Sequence, residues 1–147
     1  LAVPVIFGDD YKFEIGKGVT LKDGNDVTVI ATGLMVNEAL EAYETLKAEG
    51  INARIVNMPT IKPIDRDIVI KAAKETGAIV TAEEHSVIGG LGSAVAEVVT
   101  EECPVPMVRV GVKDTFGCSG PANVLLGEFS LRAVDIVKAA KEAIAKK

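Results

Sequence analysis

Short apolar runs rich in β-branched residues alternate along the chain with segments whose apolar residues recur at helical spacing. The runs are residues 27–32 (VTVIAT), 51–58 (INARIVNM), 78–84 (AIVTAEE) and 106–112 (PMVRVGV). Runs of this length and composition are typical of parallel strands that are buried on both faces. Because a helical segment follows each of them, the pattern predicts right-handed βαβ crossovers and a mostly parallel sheet between two layers of helices.

Local signals mark the ends of the predicted helices. The first predicted helix ends at Gly50. Its apolar residues recur at helical spacing, at Val36, Leu40 and Tyr43. Its acidic residues are predicted to face outward, at Glu38, Glu41 and Glu44. The second helix has Asp65 as its N-cap, with Ile64 able to pack onto Val69, and it ends at Gly77.

Two further helices and one short helix are predicted in the second half of the chain. The third helix covers residues 93–101 and turns Val95, Val98 and Val99 inward. Pro121 is predicted at the first position of the short helix. Ser130 is predicted to cap the last helix, whose apolar stripe is Val134, Val137 and Ile144.

Residues 1–25 differ from the alternating part of the chain. They predict a leading segment and one additional strand at an antiparallel edge, entered near the turn at Asp23 and Gly24. The predicted fold is therefore α/β: a three-layer α/β/α domain with a mostly parallel sheet of about five strands and one antiparallel edge strand. Residues 1–147 form one domain in this prediction, with 26–147 supplying the alternating strands and helices.

Composition supports this fold and excludes several classes of function. Hydrophobic residues make up 48% of the 147 residues but aromatics only 4%, so Val, Ile, Leu and Ala must build the core. A net charge of −5 without a dense basic cluster argues against nucleic acid as a partner. No apolar run approaches the roughly 18 residues of a membrane span, so no membrane partner is expected.

The N-terminal segment and the two cysteines indicate the compartment in which the protein works. The start, LAVPVIFGDD, lacks Met and has no basic region or cleavage site of a secretion signal, and it is expected to be cut from a longer polypeptide. Cys103 and Cys118 are too few for a disulfide framework and lack metal-ligand spacing. Both thiols are expected to be free, in a reducing cytoplasm.

The segment TAEEHSVIGGLGSAVAE, residues 81–97, carries the densest chemistry in the chain. Its glycines match neither the dinucleotide fingerprint nor a P-loop. One interpretation is that they allow positive φ and close helix packing. The other is a weak anion site made by free N–H groups at the helix start, at Gly89, Gly90, Gly92 and Ser93.

His85 is the only histidine, and it follows Glu83 and Glu84. A His–carboxylate pair could act as a general base, but no serine or cysteine nucleophile is placed to use it, and one histidine cannot build a multi-histidine metal site. Glu83 and Glu84 point to opposite faces of a strand. The favoured interpretation is that one of them faces a helix N-terminus or a cation, and that His85 packs at an interface.

The loop KDTFGCSG, residues 113–120, reaches the same predicted edge of the sheet. Parallel strands bring their carboxyl ends together, where ligands of α/β folds collect. Glu84, His85, Phe116 and Ser119 are therefore predicted to line an interface or a strand-end cleft. A nucleophilic role for Cys118 would need an exposed thiol with a lowered pKa, which the sequence does not indicate. No catalytic, cofactor-binding or metal-binding residue is predicted.

Five segments together resemble the C-terminal domain of transketolase, in the form found in short or two-part microbial transketolases. They are VPVIFGDDYKFEIGKG, DVTVIATGLMVNEALEA, NMPTIKPID, IVTAEEHSVIGGLGSAVAE and VGVKDTFGCSGP. The resemblance runs nearly end to end. Related C-terminal domains occur in 1-deoxyxylulose-5-phosphate synthase and in the β subunit of 2-oxoacid dehydrogenases.

The resemblance implies that the parent enzyme moves a two-carbon ketol unit between sugar phosphates in the pentose phosphate pathway. It would use thiamine diphosphate and a divalent metal such as Mg²⁺, held between two other domains at a homodimer interface. In the family, the diphosphate-binding segment and the glutamate that activates the cofactor belong to those domains, so neither Glu84 nor Glu97 is assigned that role. This chain alone is expected to be inactive and to support the dimer.

Two alternatives stay open at this point. The chain could belong to one of the related thiamine diphosphate enzymes, or it could be a free-standing regulatory module that binds an anion or nucleotide at the strand-end edge. Titration of the chain with nucleotides and sugar phosphates separates the second alternative from the others.

Overall fold

The computed structural model of the protein describes residues 4–113 and 120–147. The strands are β1 (Val19–Lys22), β2 (Val27–Ala31), β3 (Ala53–Asn57), β4 (Ile79–Ser86) and β5 (Met107–Val112). The helices are α1 (Met35–Ala48), α2 (Arg66–Thr76), α3 (Leu91–Glu102), α4 (Ala122–Glu128) and α5 (Ala133–Ala145).

The five strands form one sheet in the order β1-β3-β2-β4-β5. β2 pairs in parallel with β3 and β4, and β4 pairs in parallel with β5. β1 pairs antiparallel with β3 at the edge. The predicted α/β fold with one antiparallel edge strand is therefore confirmed.

Two apolar clusters flank the sheet, one on each face. The first is built by α1 and α5 against the sheet and includes Met35, Leu46, Ile55 and Ile136. The second is built by α2 and α3 and includes Ile30, Val69, Leu91 and Val95. Because β2 and β3 are buried at every position, the aliphatic composition of these strands explains how the sheet lies between two helical layers.

The ends of α2 confirm the local signals in the sequence. The Asp65 side chain accepts a hydrogen bond from the Ile68 N–H at 3.2 Å. Gly77 adopts the left-handed conformation, with φ of 70°, and its N–H donates to the Ala73 carbonyl oxygen. Ile64 packs against the cluster that contains Val69, as the predicted hydrophobic contact requires.

The beginnings of α3 and α4 differ from the prediction. α3 begins at Leu91, two residues before the predicted Ser93, and β4 continues to Ser86, two residues beyond the predicted end. Pro121 is the N-cap of α4 and not its first helical residue. A proline lacks the N–H that a helix would leave unpaired at either position, so the sequence signal does not separate them.

The predicted beginning of α5 is wrong. Ser130 has a positive φ of 56°, and its N–H donates to the Gly127 carbonyl oxygen, so it terminates α4. Arg132 is the N-cap of α5, and its N–H donates to the Asp135 carboxylate at 2.9 Å. Val134 is 68% exposed and does not belong to the apolar stripe, whereas Val137 is buried.

Glu38 was also predicted to face outward, and the structure corrects this. Its carboxylate is half-buried and accepts a hydrogen bond from the Ala133 N–H at 2.8 Å. The side chain therefore joins α1 to the first turn of α5, where a carboxylate also interacts favourably with the helix dipole.

Within residues 4–113 and 120–147, no helix has both the length and the apolar character that a membrane span needs. In the same ranges, no cluster of three or more His, Cys, Asp or Glu side chains is arranged to hold a metal ion. Cys103 is a free, half-buried thiol. Cys118 lies outside the described residues.

Candidate functional site at the strand-end edge

The carboxyl ends of β2 and β4 lie side by side at the point where the strand order reverses. β3 lies on one side of β2, and β4 lies on the other. The loops after β2 and β4 therefore diverge to opposite faces of the sheet. In open α/β sheets this divergence leaves the crevice in which ligands bind. Here it brings Gly33, which follows β2, next to the end of β4.

Glu84 lies in this crevice against Gly33. Gly33 has φ of 61°, and a Cβ added to it would be 2.9 Å from the Glu84 Oε1 atom. The side chain of Glu84 is half-buried, whereas His85 is exposed. No hydrogen bond or ion pair joins His85 to Glu84 among the contacts of the described residues, so the structure does not form the His–carboxylate pair that a general base would need.

Glu83 is completely buried on the other face of β4. Its two carboxylate oxygens accept hydrogen bonds from the first two amides of α3, from the Leu91 N–H at 2.9 Å and from the Gly92 N–H at 2.8 Å. These amides have no partner inside the helix, and they form the positive end of the helix dipole. The prediction that one of the two glutamates faces a helix N-terminus is confirmed.

The same hydrogen bonds bear on the predicted weak anion site. Glu83 occupies the Leu91 and Gly92 amides, and the Gly89 N–H donates to the Ser93 Oγ at 2.9 Å. The protein thus supplies its own anion at the position where an external one would bind. The external site at Gly89, Gly90, Gly92 and Ser93 stays a prediction, and a bound anion there would have to compete with a buried carboxylate.

The loop between β4 and α3 is fixed by several hydrogen bonds. The Val87 N–H donates to the Val112 carbonyl oxygen at 3.0 Å, which extends the sheet past Ser86. The Val87 carbonyl oxygen accepts from the Ser93 Oγ at 3.1 Å and from the Arg109 Nη1 at 3.2 Å. Ile88 follows, with 63% of its surface exposed. The loop therefore presents an apolar side chain from a well-anchored backbone.

Two glycines at the start of α3 are required by close packing. A Cβ at Gly90 would overlap the Glu83 Oε1 atom. A Cβ at Gly92 would lie 2.8 Å from the Arg109 Cδ and 3.0 Å from the Thr81 Oγ1. These distances are shorter than ordinary van der Waals contact, so a side chain at either position would force its neighbours to move.

The structure brings only some of the predicted site residues to one place. Glu84 and His85 lie at the strand-end edge, and Gly89, Gly90, Gly92 and Ser93 form the adjoining loop and helix start. Phe116 and Ser119 lie outside the described residues, so their predicted part in the cleft is a prediction still. Sequence reasoning missed Arg109, and its only signal was a charged residue inside the apolar run PMVRVGV.

Comparison with known proteins places this fold and edge in one family. A model of the transketolase C-terminal domain matches residues 16–136. The chain therefore belongs to the family of transketolase C-terminal domains, as its motifs indicated.

The relatives include a transketolase subunit and a 1-deoxy-D-xylulose-5-phosphate synthase. The chain is 50% identical over 142 residues to the 6-deoxy-6-sulfo-D-fructose transketolase subunit SqwH of Clostridium sp. (strain MSTE9). This alignment covers 97% of this chain and 44% of that protein. It is 44% identical over 131 residues to the 1-deoxy-D-xylulose-5-phosphate synthase of Heliobacterium modesticaldum, covering 87% of this chain and 20% of that one.

A solved structure agrees with these relatives. The structure described as a split gene transketolase, inactive beta4 tetramer, is 55% identical, with a TM-score of 0.95, over 99% of this chain and 48% of that chain. The chain thus spans less than half the length of each of these relatives. The fold is shown to be that of a transketolase C-terminal domain.

Proposed function

We propose that the chain is the structural, assembly-supporting C-terminal domain of a transketolase-family subunit. The parent enzyme would transfer a two-carbon ketol unit between sugar phosphates. Thiamine diphosphate and Mg²⁺ would be held by other domains of that enzyme, with no cofactor bound to this chain. The subunit would work in the cytoplasm, within a homodimer of the complete enzyme.

The observation that carries this proposal is the buried carboxylate of Glu83 on the α3 amides. A diphosphate needs free N–H groups or cations, and a helix start at the carboxyl edge of a sheet is the usual place to find them. Here the two amides at that place are already paired, and the neighbouring Glu84 adds a second negative charge. The described residues of this edge therefore do not fit the diphosphate of the cofactor.

The exposed part of the edge is better suited to contact with protein. Ile88 is exposed on a hydrogen-bonded loop, and His85 and the half-buried Glu84 lie at the end of the preceding strand. Because the backbone of this loop is already anchored, little backbone entropy is lost when Ile88 is buried, and the surrounding polar groups can form a rim. We assign this edge to contact with another transketolase domain or subunit.

The test compares the chain alone with the complete enzyme. The purified chain should show no ketol transfer and no binding of thiamine diphosphate with Mg²⁺. The complete subunit should be active when it is mixed with its companion subunit, which is the subunit that carries the remaining domains of the enzyme. Ile88→Asp in the complete subunit should weaken the assembly of the two. Ketol transfer by the chain alone would contradict the proposal.

The sugar is a separate part of the proposal. We propose that the substrates are sugar phosphates of the pentose phosphate pathway. One relative, however, is named for a sulfonated sugar, so the substrate needs its own test. Activity of the complete enzyme should be measured against a panel of pentose, hexose and sulfonated sugars. Preference for a sugar outside the pentose phosphates would overturn this part and leave the assignment of the domain intact.

The second candidate is the C-terminal domain of a 1-deoxyxylulose-5-phosphate synthase, which the 44% identity to that enzyme favours. By its name, that enzyme forms 1-deoxyxylulose 5-phosphate, whereas ketol transfer forms other sugar phosphates. Product analysis of the complete enzyme therefore separates the two candidates.

A further inference from the structure

A groove of about 730 Å³ lies on the opposite side of the molecule from α3, between the leading segment, β1, α1 and the start of α5. Its apolar lining residues are Val5, Ile6, Leu21, Leu34, Leu40 and Leu126. Val5 is 91% exposed, which is unusual for a β-branched aliphatic residue beside other apolar side chains. The groove is thus an apolar surface that solvent covers in this chain.

One wall of the groove is acidic. Glu38, Glu41 and Glu44 follow one another at intervals of three residues along α1, so they lie along one side of the helix. Glu38 is engaged by the Ala133 N–H. Glu41 and Glu44 are exposed, and neither takes part in any of the ion pairs formed within residues 4–113 and 120–147.

Two basic residues, Lys22 and Arg132, also line the groove. The Lys22 ammonium group lies over the ring of Tyr43, 5.4 Å from the ring centroid, and Arg132 is the N-cap residue of α5. A cation over an aromatic ring is attracted by the ring quadrupole. An occupant of the groove would therefore be apolar and would carry one or two positive charges opposite Glu41 and Glu44.

The groove lies beside the N-terminal segment of the chain, and this position indicates which part of a longer subunit could occupy it. Pro4, Val5 and Ile6 line it, and the relatives extend over more than twice the length of this chain. In a subunit of which this chain is the C-terminal part, the preceding polypeptide arrives beside the groove. Covalent linkage raises its effective concentration there, so even a modest contact would be populated.

We propose that the domain preceding this chain in the complete subunit places an apolar segment with Lys or Arg side chains in this groove. The apolar residues of that segment cover Val5 and Leu40, and its cations pair with Glu41 and Glu44. The inference rests on the proposed function only in that the chain is the C-terminal part of a longer subunit.

The experiment compares charge reversal inside and outside the groove, in the complete subunit and in the 147-residue chain. The variants are Glu41→Lys and the double variant Glu41→Lys/Glu44→Lys. The matched control is Glu97→Lys, because Glu97 is an exposed residue of α3, in the other helical layer. Each protein is followed by thermal unfolding at low salt and at about 1 M salt, where exposed charges are screened.

We expect the double variant to lower the unfolding midpoint of the complete subunit by about 3 °C at low salt, which is the size of effect expected for loss of a modest contact in a protein of this size. The chain alone should shift by less than about 1 °C, and Glu97→Lys should leave both unchanged. High salt should remove the difference.

An equal shift in the chain and the complete subunit would overturn the inference, because the effect would then arise within this domain. An unchanged complete subunit would also overturn it. If the double variant instead weakened binding of the companion subunit, the groove would have a different occupant from the one proposed. Ketol transfer activity is assayed separately, so loss of the proposed function would be recognised independently of these results.

Discussion

The first turns of α3 and α5 use the same device in two different surroundings. Each receives a carboxylate from another element: Glu83 of β4 at α3, and Glu38 of α1 at α5. Glu83 is fully buried and accepts two N–H groups, whereas Glu38 is half-buried and accepts one. Asp135 adds a second carboxylate at α5, from within the helix.

The two carboxylates differ in what would happen to the helix amides if the carboxylate were removed. At α5, water could take over the Ala133 N–H if Glu38 were absent, so the contact mainly joins two helices of one layer. At α3, water is excluded from around Glu83, and the amides would be left without partners. The buried arrangement should therefore dominate the stability of the domain, and it also determines whether the strand-end edge can bind an anion.

Glu83→Ala should have the largest effect. It leaves two buried N–H groups unpaired and opens a cavity, so we expect a loss of about 3 to 5 kcal/mol in the free energy of unfolding. Chemical denaturation of the chain measures it. Glu84→Ala is the matched control, because Glu84 is the next residue and only half-buried. A loss below about 1 kcal/mol for Glu83→Ala would show that the buried bonds matter little.

Gly92→Ala should have a smaller effect at the same helix start. The added methyl group would meet the Arg109 and Thr81 side chains, and overpacking of this kind costs roughly 1 to 3 kcal/mol. Arg109 is exposed and can move, whereas Thr81 is buried in β4, so we expect a value near 1 kcal/mol.

The control for this variant is Gly120→Ala, since a Cβ there would be 3.5 Å from the Leu125 side chain, which is ordinary contact. Gly120→Ala should leave the denaturation midpoint nearly unchanged. A neutral or stabilising Gly92→Ala would mean that packing does not require the glycine, and the anion-site interpretation would gain support.

Glu38→Ala should cost less again. It removes one hydrogen bond at a half-buried helix start, where a carboxylate contributes roughly 0.5 to 1 kcal/mol. Glu44→Ala, on the same helix but without a hydrogen bond in the described structure, serves as the control. If Glu38→Ala matched Glu83→Ala in its effect, burial would not be what distinguishes the two helix starts.

Arg66→Ala should have the smallest effect. Arg66 donates to Glu101 at 3.1 Å and to Glu102 at 3.2 Å on the protein surface. The hydrogen bond to Glu101 contributes most to raising the pKa of the Arg66 guanidinium. A pKa that is raised in the folded state adds stability at every pH below the ordinary pKa of arginine. This stability is lost only as the pH rises through the raised pKa, so no pH dependence should appear near neutrality.

We expect the unfolding midpoint of Arg66→Ala to stay within measurement error, because exposed ion pairs contribute little. A clear decrease that high salt removes would show that this surface pair stabilises the contact between α2 and α3 more than exposed pairs usually do.

The same comparison shows what a sequence can predict. The limits of α2 followed from Asp65 and Gly77, because each acts on backbone within a few residues of itself. The start of α5 did not. One of its two carboxylates comes from Glu38, 95 residues earlier in the chain, and the other, Asp135, accepts from Arg132, which is not a usual N-cap residue type. Ser130 carried the expected capping residue type but adopts a left-handed conformation that ends α4.

The candidate site divides in the same way. Alternation along β4 predicted that Glu83 and Glu84 face opposite sides, and the resemblance to transketolase C-terminal domains gave the fold and family correctly. Which glutamate faces the helix, and the contact of Gly92 with Arg109, depend on how α3 lies against β4 and β5. That packing is set by the sheet order, which no local pattern contains.

The central claim is that Glu83 occupies the anion position of this edge, so that the chain is a structural domain and not a diphosphate-binding one. The most direct measurement is isothermal titration of the purified chain with inorganic pyrophosphate and with thiamine diphosphate, each with Mg²⁺. We predict no saturable binding tighter than about 1 mM for either. Saturable binding of either compound in the micromolar range would contradict the account.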